Sequence, residues 1–388
     1  MRQGLDDPDE TALKNCLQAL YRQLWQPVEQ VLTPAPLVTT TVILCPDSRL
    51  NFVSFATLLS PDNRFLGEEY SLRYVASGRD LLREIKPGLD SRMVVFANPD
   101  FSGTKTVIST NQVVDNPGQF AMRGVERGDL QDLYLPPLPG TATESAALVA
   151  QAKTWNWPTE VYLEGAATKA QLDEVRSPHI LHLATHGFFL PGSEEDEGDQ
   201  AGGLRGIAIT SSFQPSSGLD LLAESGGRSE RHVILKNPMY RSGLALAGAQ
   251  ATLDAWKRGE VPPTENDGIV TAEEVGALKL DGTWLVTLSA CDTGIGQALS
   301  GEGVMGLRRG FIQAGAENLL MTLWPVADEE TARFMVDFYS AAQKSGNAPK
   351  ALAEVQRDWL VKLRGDRGLA EAVRIAGPFI MNSQGSVK

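Results

Sequence analysis

The chain has 388 residues, 42% of them hydrophobic and 21% charged, which is the balance of a globular protein with material for a large core. Its formal net charge of −13 argues against a general nucleic-acid-binding surface, because such surfaces are basic. Its three cysteines, Cys16, Cys45 and Cys291, are widely spaced and form no C-x-x-C, which argues against a disulfide framework or zinc ribbon and points to a reducing compartment.

MRQGLDDPDE has no basic start followed by an apolar stretch, and no run reaches the roughly 18 apolar residues that a membrane span needs. The expectation is a soluble, cytoplasmic protein. Leu13, Leu17, Leu20, Leu24, Val28 and Val31 recur at steps of three and four, which predicts an amphipathic helix over 11–31. TTVILCPDSRL predicts a strand at 40–45, closed by Pro46 and Asp47. YSLRYVAS and RMVVFANPD predict two more strands, at 70–77 and 92–100, with GRDLLREI helical between them. This alternation predicts an α/β fold with a mostly parallel central sheet and helices on both faces. Residues 101–140 are rich in Gly, Pro, Asn and Asp and read as a linker ending in LPPLPG. A smaller N-terminal α/β domain over 1–135 and a main domain over 136–388 are therefore expected.

The second run opens with Thr141-x-x-Glu144, a capping-box pattern before a helix to Trp155. TEVYLEG predicts a strand, and ATKAQLDEV a short helix capped by Thr168. HILHLATHGFF, 179–189, reads as a strongly apolar strand ending in a turn. An acidic, glycine-rich insert follows at about 191–236 and reads mostly as a solvated loop. Thr271-x-x-Glu274 repeats the capping pattern, TWLVTLSAC is a strand, and GVMGLRRGFIQAGA is a helix ending at Gly315. ENLLMTLWPV is a strand stopped by Pro325. Asp328 opens a long amphipathic helix, and a helix at 348–364 and the strand-like GPFIM complete the chain.

H-L-A-T-H lacks the glutamate of H-E-x-x-H and lies in a strand, so no metal is expected at His182 or His186. His182, between two leucines, reads as a core histidine or one standing behind a site. His186 ends the apolar run before Gly187, so its ring can stand at a sheet edge. GEGVMG matches G-x-G-x-x-G, with Asp328 roughly twenty residues on, but its first glycine follows the strand by about ten residues instead of directly. A nucleotide-binding oxidoreductase is thus the third choice. A C-x5-R phosphatase loop fails at Gln297.

Cys291 and His186 remain, both ending apolar strands. The C-terminal ends of parallel strands share an edge, and ligands bind in the crevice there. An imidazole beside a thiol favours the nucleophilic thiolate. The N–H groups of Gly187 and Cys291 could form an oxyanion hole. A structural cysteine beside a core histidine would give the same pattern, so both readings stand on spacing alone.

HLATHGFF, NPMYRSGLALAGA, TAEEVGALKLDGTWLVTLSACDTGIG and GEGVMGLRRGFIQAGAENLLMTLWPVADEETARFM, with GPFIMNSQG and the front-half motifs VILCPDSRLNFVSFATLL and LPGTATESAAL, resemble the CHAT family. This is a caspase-like, clan CD cysteine protease family related to separase and often fused to TPR repeats. The resemblance implies a caspase-hemoglobinase fold, a His186–Cys291 dyad with no metal or cofactor, and an inactive protease-like segment before residue 136. It implies a protein or peptide substrate lying near RSGLALAG and the Trp324–Pro325 turn. Ser242, Asp292, Trp324 and Asp328 are its candidate pocket residues, the two aspartates also reading as turn and helix caps. The sequence departs from the family in its long insert, a candidate lid, partner site or autocleavage site containing Arg228 and Arg231, with Lys236 at its end. It also lacks TPR repeats, so it reads either as a compact stand-alone form or as one whose recruiting region or regulatory partner lies in another protein. The expected function is a cysteine endopeptidase, by analogy in bacterial signalling or defence. The alternative is a catalytically silent scaffold.

Overall fold

A computed structural model describes residues 8–32, 41–86, 88, 91–103, 134–189, 239, 242–260, 266–289, 302–324, 326 and 328–385. Its strands are β1 (Thr41–Leu44), β2 (Ser71–Tyr74), β3 (Met93–Pro99), β4 (Thr159–Glu164), β5 (Ile180–Ala184), β6 (Gly187–Phe189), β7 (Ser242–Ala245), β8 (Ile269–Thr271), β9 (Leu285–Leu288), β10 (Asn318–Thr322) and β11 (Phe379–Ser383). Its helices are α1 (Pro8–Leu20), α2 (Gln26–Leu32), α3 (Leu66–Glu69), α4 (Pro139–Thr154), α5 (Lys169–Asp173), α6 (Ala249–Lys257), α7 (Ala272–Ala277), α8 (Glu302–Ala314), α9 (Asp328–Ser345), α10 (Ala348–Arg367) and α11 (Leu369–Ala376).

Among the described residues, eight strands form one sheet in the order β1-β2-β11-β10-β9-β5-β3-β4, and β6-β7-β8 form a second, antiparallel sheet. The large sheet is two parallel blocks. β10, β9, β5, β3 and β4 run one way; β1, β2 and β11 run the other. Only the β10–β11 seam is antiparallel. The fold is therefore α/β with a mostly parallel sheet, as the alternation predicts.

The expected domain boundary at 135 does not coincide with a break in this sheet. β3 lies between β5 and β4, paired with both, and β2 joins the chain's last strand, β11. One buried cluster runs from Leu17 and Trp25 through Phe96 and Leu288 to Phe379. Residues 1–135 read as a separate unit because their connection after β3 is long, but β1 to β3 have no complete sheet of their own.

Right-handed crossovers set the layers. The step from β3 to β4 and the step from β9 to β10 go in opposite lateral directions, so α4 and α8 cover opposite faces. α9 joins α4 on its face, where Gln151 Nε2 donates to Val336 O at 2.9 Å. α10 follows alongside α9, with Trp359 Nε1 donating to Asp337 Oδ2 at 2.9 Å. β3 and β5 are neighbours whose outgoing connections diverge, and that leaves a crevice at their C-terminal ends.

The N-terminal helix forms, but its buried stripe differs from the expected one. α1 passes through a π-helical stretch, Tyr21–Trp25, into α2, and Leu17, Tyr21 and Trp25 face inward. Val28 and Val31 are exposed, because the wider turn rotates the stripe away from them. GRDLLREI forms only a 3₁₀ stretch over Gly78–Leu82.

α5 is tied to β8 and α7 through one ammonium group. Lys169 Nζ reaches Glu274 Oε1 at 2.8 Å, Asp267 Oδ1 at 3.3 Å and Ile269 O at 3.0 Å. Burial alone would lower the Lys169 pKa, but Asp267 and Glu274 more than offset it and the net shift is upward. Lys169→Met strands two half-buried carboxylates, so a stability loss of about 2 kcal/mol is expected in denaturant titrations at neutral pH. A base with a raised pKa stabilises the fold below its ordinary value and loses that contribution as pH rises through the shifted one. The difference from wild type should therefore shrink above about pH 10.4.

Candidate active site

β5 is buried along its whole length, as a strand covered on both faces must be. It pairs in parallel with β9, Ile180 opposite Leu285 through Leu183 opposite Leu288. The chain leaves β5 at Thr185, whose hydroxyl donates to Ala245 O, and Ala245 N donates back to His186 O at 2.9 Å. His186 then enters β6 at Gly187, which pairs with Leu244 of β7. The small sheet thus anchors the backbone on either side of His186.

The His186 ring has no exposed surface. Its Nε2 lies 2.7 Å from Pro136 O. A carbonyl oxygen can only accept, so Nε2 carries the proton in this contact. Phe101, just past β3, packs at a tilt against the ring with centroids 5.0 Å apart. The sheet-edge location matches the expectation, but the ring is enclosed rather than open. Phe101 and Leu135 share a small second core with Phe188, Ala245, Ala249, Leu253 and Ile269.

Behind this lies a buried polar cluster between the sheet and helices α4 and α9. His182 and Thr287 are register partners, so their side chains share one face of the sheet. Tyr339 OH of α9 stands 3.0 Å from His182 Nδ1 and 2.8 Å from Thr287 Oγ1. Glu144 of α4 presents Oε1 3.2 Å from His182 Nε2, off the line of a hydrogen bond, and among the described residues those two atoms have no other partner. Its second oxygen accepts from Ser289 Oγ at 3.1 Å. Burial, opposed by the Thr287 hydroxyl and reinforced by the Glu144 charge, pushes the Tyr339 phenol far above its ordinary value. One consistent set of donors runs from Thr287 to Tyr339, from Tyr339 to His182 Nδ1, and from His182 Nε2 toward Glu144.

His182 is thus the core histidine standing behind the site that the sequence suggests. The Thr141/Glu144 capping box is not formed. The helix has already begun at Pro139 behind Leu138, without a side-chain cap. Thr141 Oγ1 instead donates to Leu138 O at 2.7 Å and accepts from Asn98 N at 2.8 Å.

The other expected site residues are scattered. Ser242 is buried in β7, opposite Phe189. Trp324 follows β10 but turns away, its Nε1 donating to Arg374 O of α11 at 3.1 Å. Asp328 is the first residue of α9. Cys291 and Asp292 lie outside the described residues, as does the insert at 191–236. GEGVMG opens α8, with the helix starting at Glu302, not a strand-turn-helix. Sequence reasoning missed Phe101, the Pro136 carbonyl, Ser289 and Glu144. Among the described residues, no three His, Cys, Asp or Glu side chains gather as a metal site, and no helix is long and apolar enough to cross a membrane.

The comparisons with known proteins follow the same span. Tetratricopeptide repeat protein 28 of Homo sapiens is 24% identical over 347 residues, 88% of this chain and 12% of that protein. Its Mus musculus counterpart is 24% identical over 350 residues, again 88% and 12%. The chain therefore matches only about an eighth of the length of these relatives. A separase–securin complex from Saccharomyces cerevisiae aligns at 11% identity over 86% of this chain and 15% of that one, with a TM-score of 0.40. The CHAT domain model matches residues 14–369, nearly the whole chain, and the chain belongs to the CHAT domain family.

Proposed function

We propose that this CHAT domain is a cysteine endopeptidase of caspase-like type with a His186–Cys291 dyad. The observation that carries the reading is the β5–β9 register. The last paired residues are Leu183 and Leu288, and His186 and Cys291 each follow by three residues. Both positions thus follow the C-terminal ends of neighbouring parallel strands, about 4.8 Å apart, and this supports a dyad in the crevice there.

With Nε2–H committed to Pro136 O, Nδ1 of His186 is the nitrogen that takes the thiol proton. The Cys291 thiolate attacks the peptide carbonyl carbon, forming a C–S bond and a tetrahedral oxyanion. The N–H groups of Gly187 and Cys291 stabilise that charge. His186 returns its proton to the leaving amine as the C–N bond breaks, and water then hydrolyses the thioester. A Cβ at position 187 would meet nothing closer than Gly243 O at 3.8 Å. The packing leaves room for a larger residue there, which fits a backbone kept bare for substrate.

The partners of this reading are protein substrates, and relatives named for tetratricopeptide repeats support recruitment through protein–protein contacts. One observation favours a second reading, a catalytically silent interaction module: the complete enclosure of His186. A mixed peptide library, profiled with the wild type and with Cys291→Ala, separates the two. Cleavage that disappears in the variant is expected. Undiminished cleavage by Cys291→Ala would sink the dyad, and no cleavage together with no Cys291 labelling by thiol probes would favour the silent module.

A further inference from the structure

Burying a carboxylate is costly unless its charge is matched by donors. Glu144 is 2% exposed, one turn into α4, where it caps nothing. What it does touch is specific. Oε2 accepts from Ser289, the residue after β9 and two before Cys291. Oε1 faces His182 on β5, four residues before His186. Ser289 is also tied to β5 directly, its N–H donating to Leu183 O at 3.2 Å. The segment leading into the same helix supplies Pro136 O, which holds the His186 ring. Residues 136–144 thus bind the exits of both strands, one through a carbonyl and the other through a carboxylate.

We propose that Glu144 is a positioning residue, which fixes the exit of β9 through Ser289 and that of β5 through His182 so that thiol and imidazole meet. The proposal rests on the dyad reading. Displacing a reacting group by about 1 Å costs on the order of 10²-fold in rate, so an anchor two residues from the nucleophile has leverage over kcat without touching substrate.

The test uses Ser289→Ala, Ser289→Thr and Glu144→Gln in a Cys16→Ser/Cys45→Ser background, with thermal melting to confirm the fold. On a peptide found in the library, Ser289→Ala should lower kcat about 30-fold at nearly unchanged KM. Ser289→Thr keeps the hydroxyl and should recover to within about threefold of wild type. Glu144→Gln keeps an acceptor oxygen and should fall between them. A second arm needs no proteolysis: the rate of Cys291 alkylation by iodoacetamide should follow the same order. Should the wild type cleave nothing while alkylation keeps that order, positioning stands and the protease reading fails. If Ser289→Ala melts normally and both rates equal wild type, or if threonine restores nothing, the proposal is overturned.

Discussion

His186→Ala is expected to lower kcat/KM by about 10³-fold or more, the scale seen when one member of a catalytic unit is removed. The same change should also cost stability. The ring is fully buried against Phe101, and its removal leaves a cavity and an orphaned Pro136 carbonyl, worth together about 2–3 kcal/mol. A loss of activity in His186→Ala alone would therefore be ambiguous. His186→Gln resolves it. The glutamine amide nitrogen reaches the place of Nε2, can donate to Pro136 O and fills part of the space, so most of the melting temperature should return. It offers no base, so activity should not. Peptide cleavage measured beside calorimetry checks both, and an active His186→Gln protein would remove the imidazole from the mechanism.

Gly243→Ala is expected to be the most damaging single-methyl change in the small sheet. A Cβ at this position would lie 2.3 Å from Val270 O and 2.5 Å from Phe188 Cζ. The first contact is with backbone paired across β7–β8, which cannot yield without breaking the ladder. The second presses on a ring of the small core. Overpacking of this kind costs about 3 kcal/mol, a fall of several degrees in melting temperature. β7 also pairs with Gly187, so cleavage should drop further than the folded fraction does. A Gly243→Ala protein melting within a degree of wild type would contradict this packing.

Strand positions were largely legible because apolar runs stop at recognisable breakers, as at Leu44 before Pro46 and at Thr322 before Pro325. The location of His186 followed from the same logic. Sheet order was not legible. Nothing local in FIMNS tells β11 to run antiparallel to β10 and parallel to β2. The two capping patterns show where local reading fails. Thr271 and Glu274 form a reciprocal cap, with Glu274 Oε2 accepting from Thr271 N at 2.8 Å and Thr271 Oγ1 accepting from Glu274 N at 3.3 Å. Thr141 and Glu144 have the same spacing, but Pro139 starts the helix two residues earlier, and the carboxylate goes to the sheet instead. The T-x-x-E spacing is identical; the upstream proline and the sheet that takes the carboxylate separate them.

The place of β11 has a consequence for how the protein is made. β1 and β2 leave the ribosome before the rest of the sheet, yet the edge they dock on is β11, which is synthesised after every other described strand. Until then Phe55, Leu58, Leu59, Phe65 and Tyr74, all buried in the finished fold, have no completed sheet to cover them. Such non-local closure is slow and leaves apolar surface open to aggregation or chaperones. A chain broken anywhere before Phe379 would lack the strand on which β2 docks, so this surface is buried only when two segments about 300 residues apart in sequence have met.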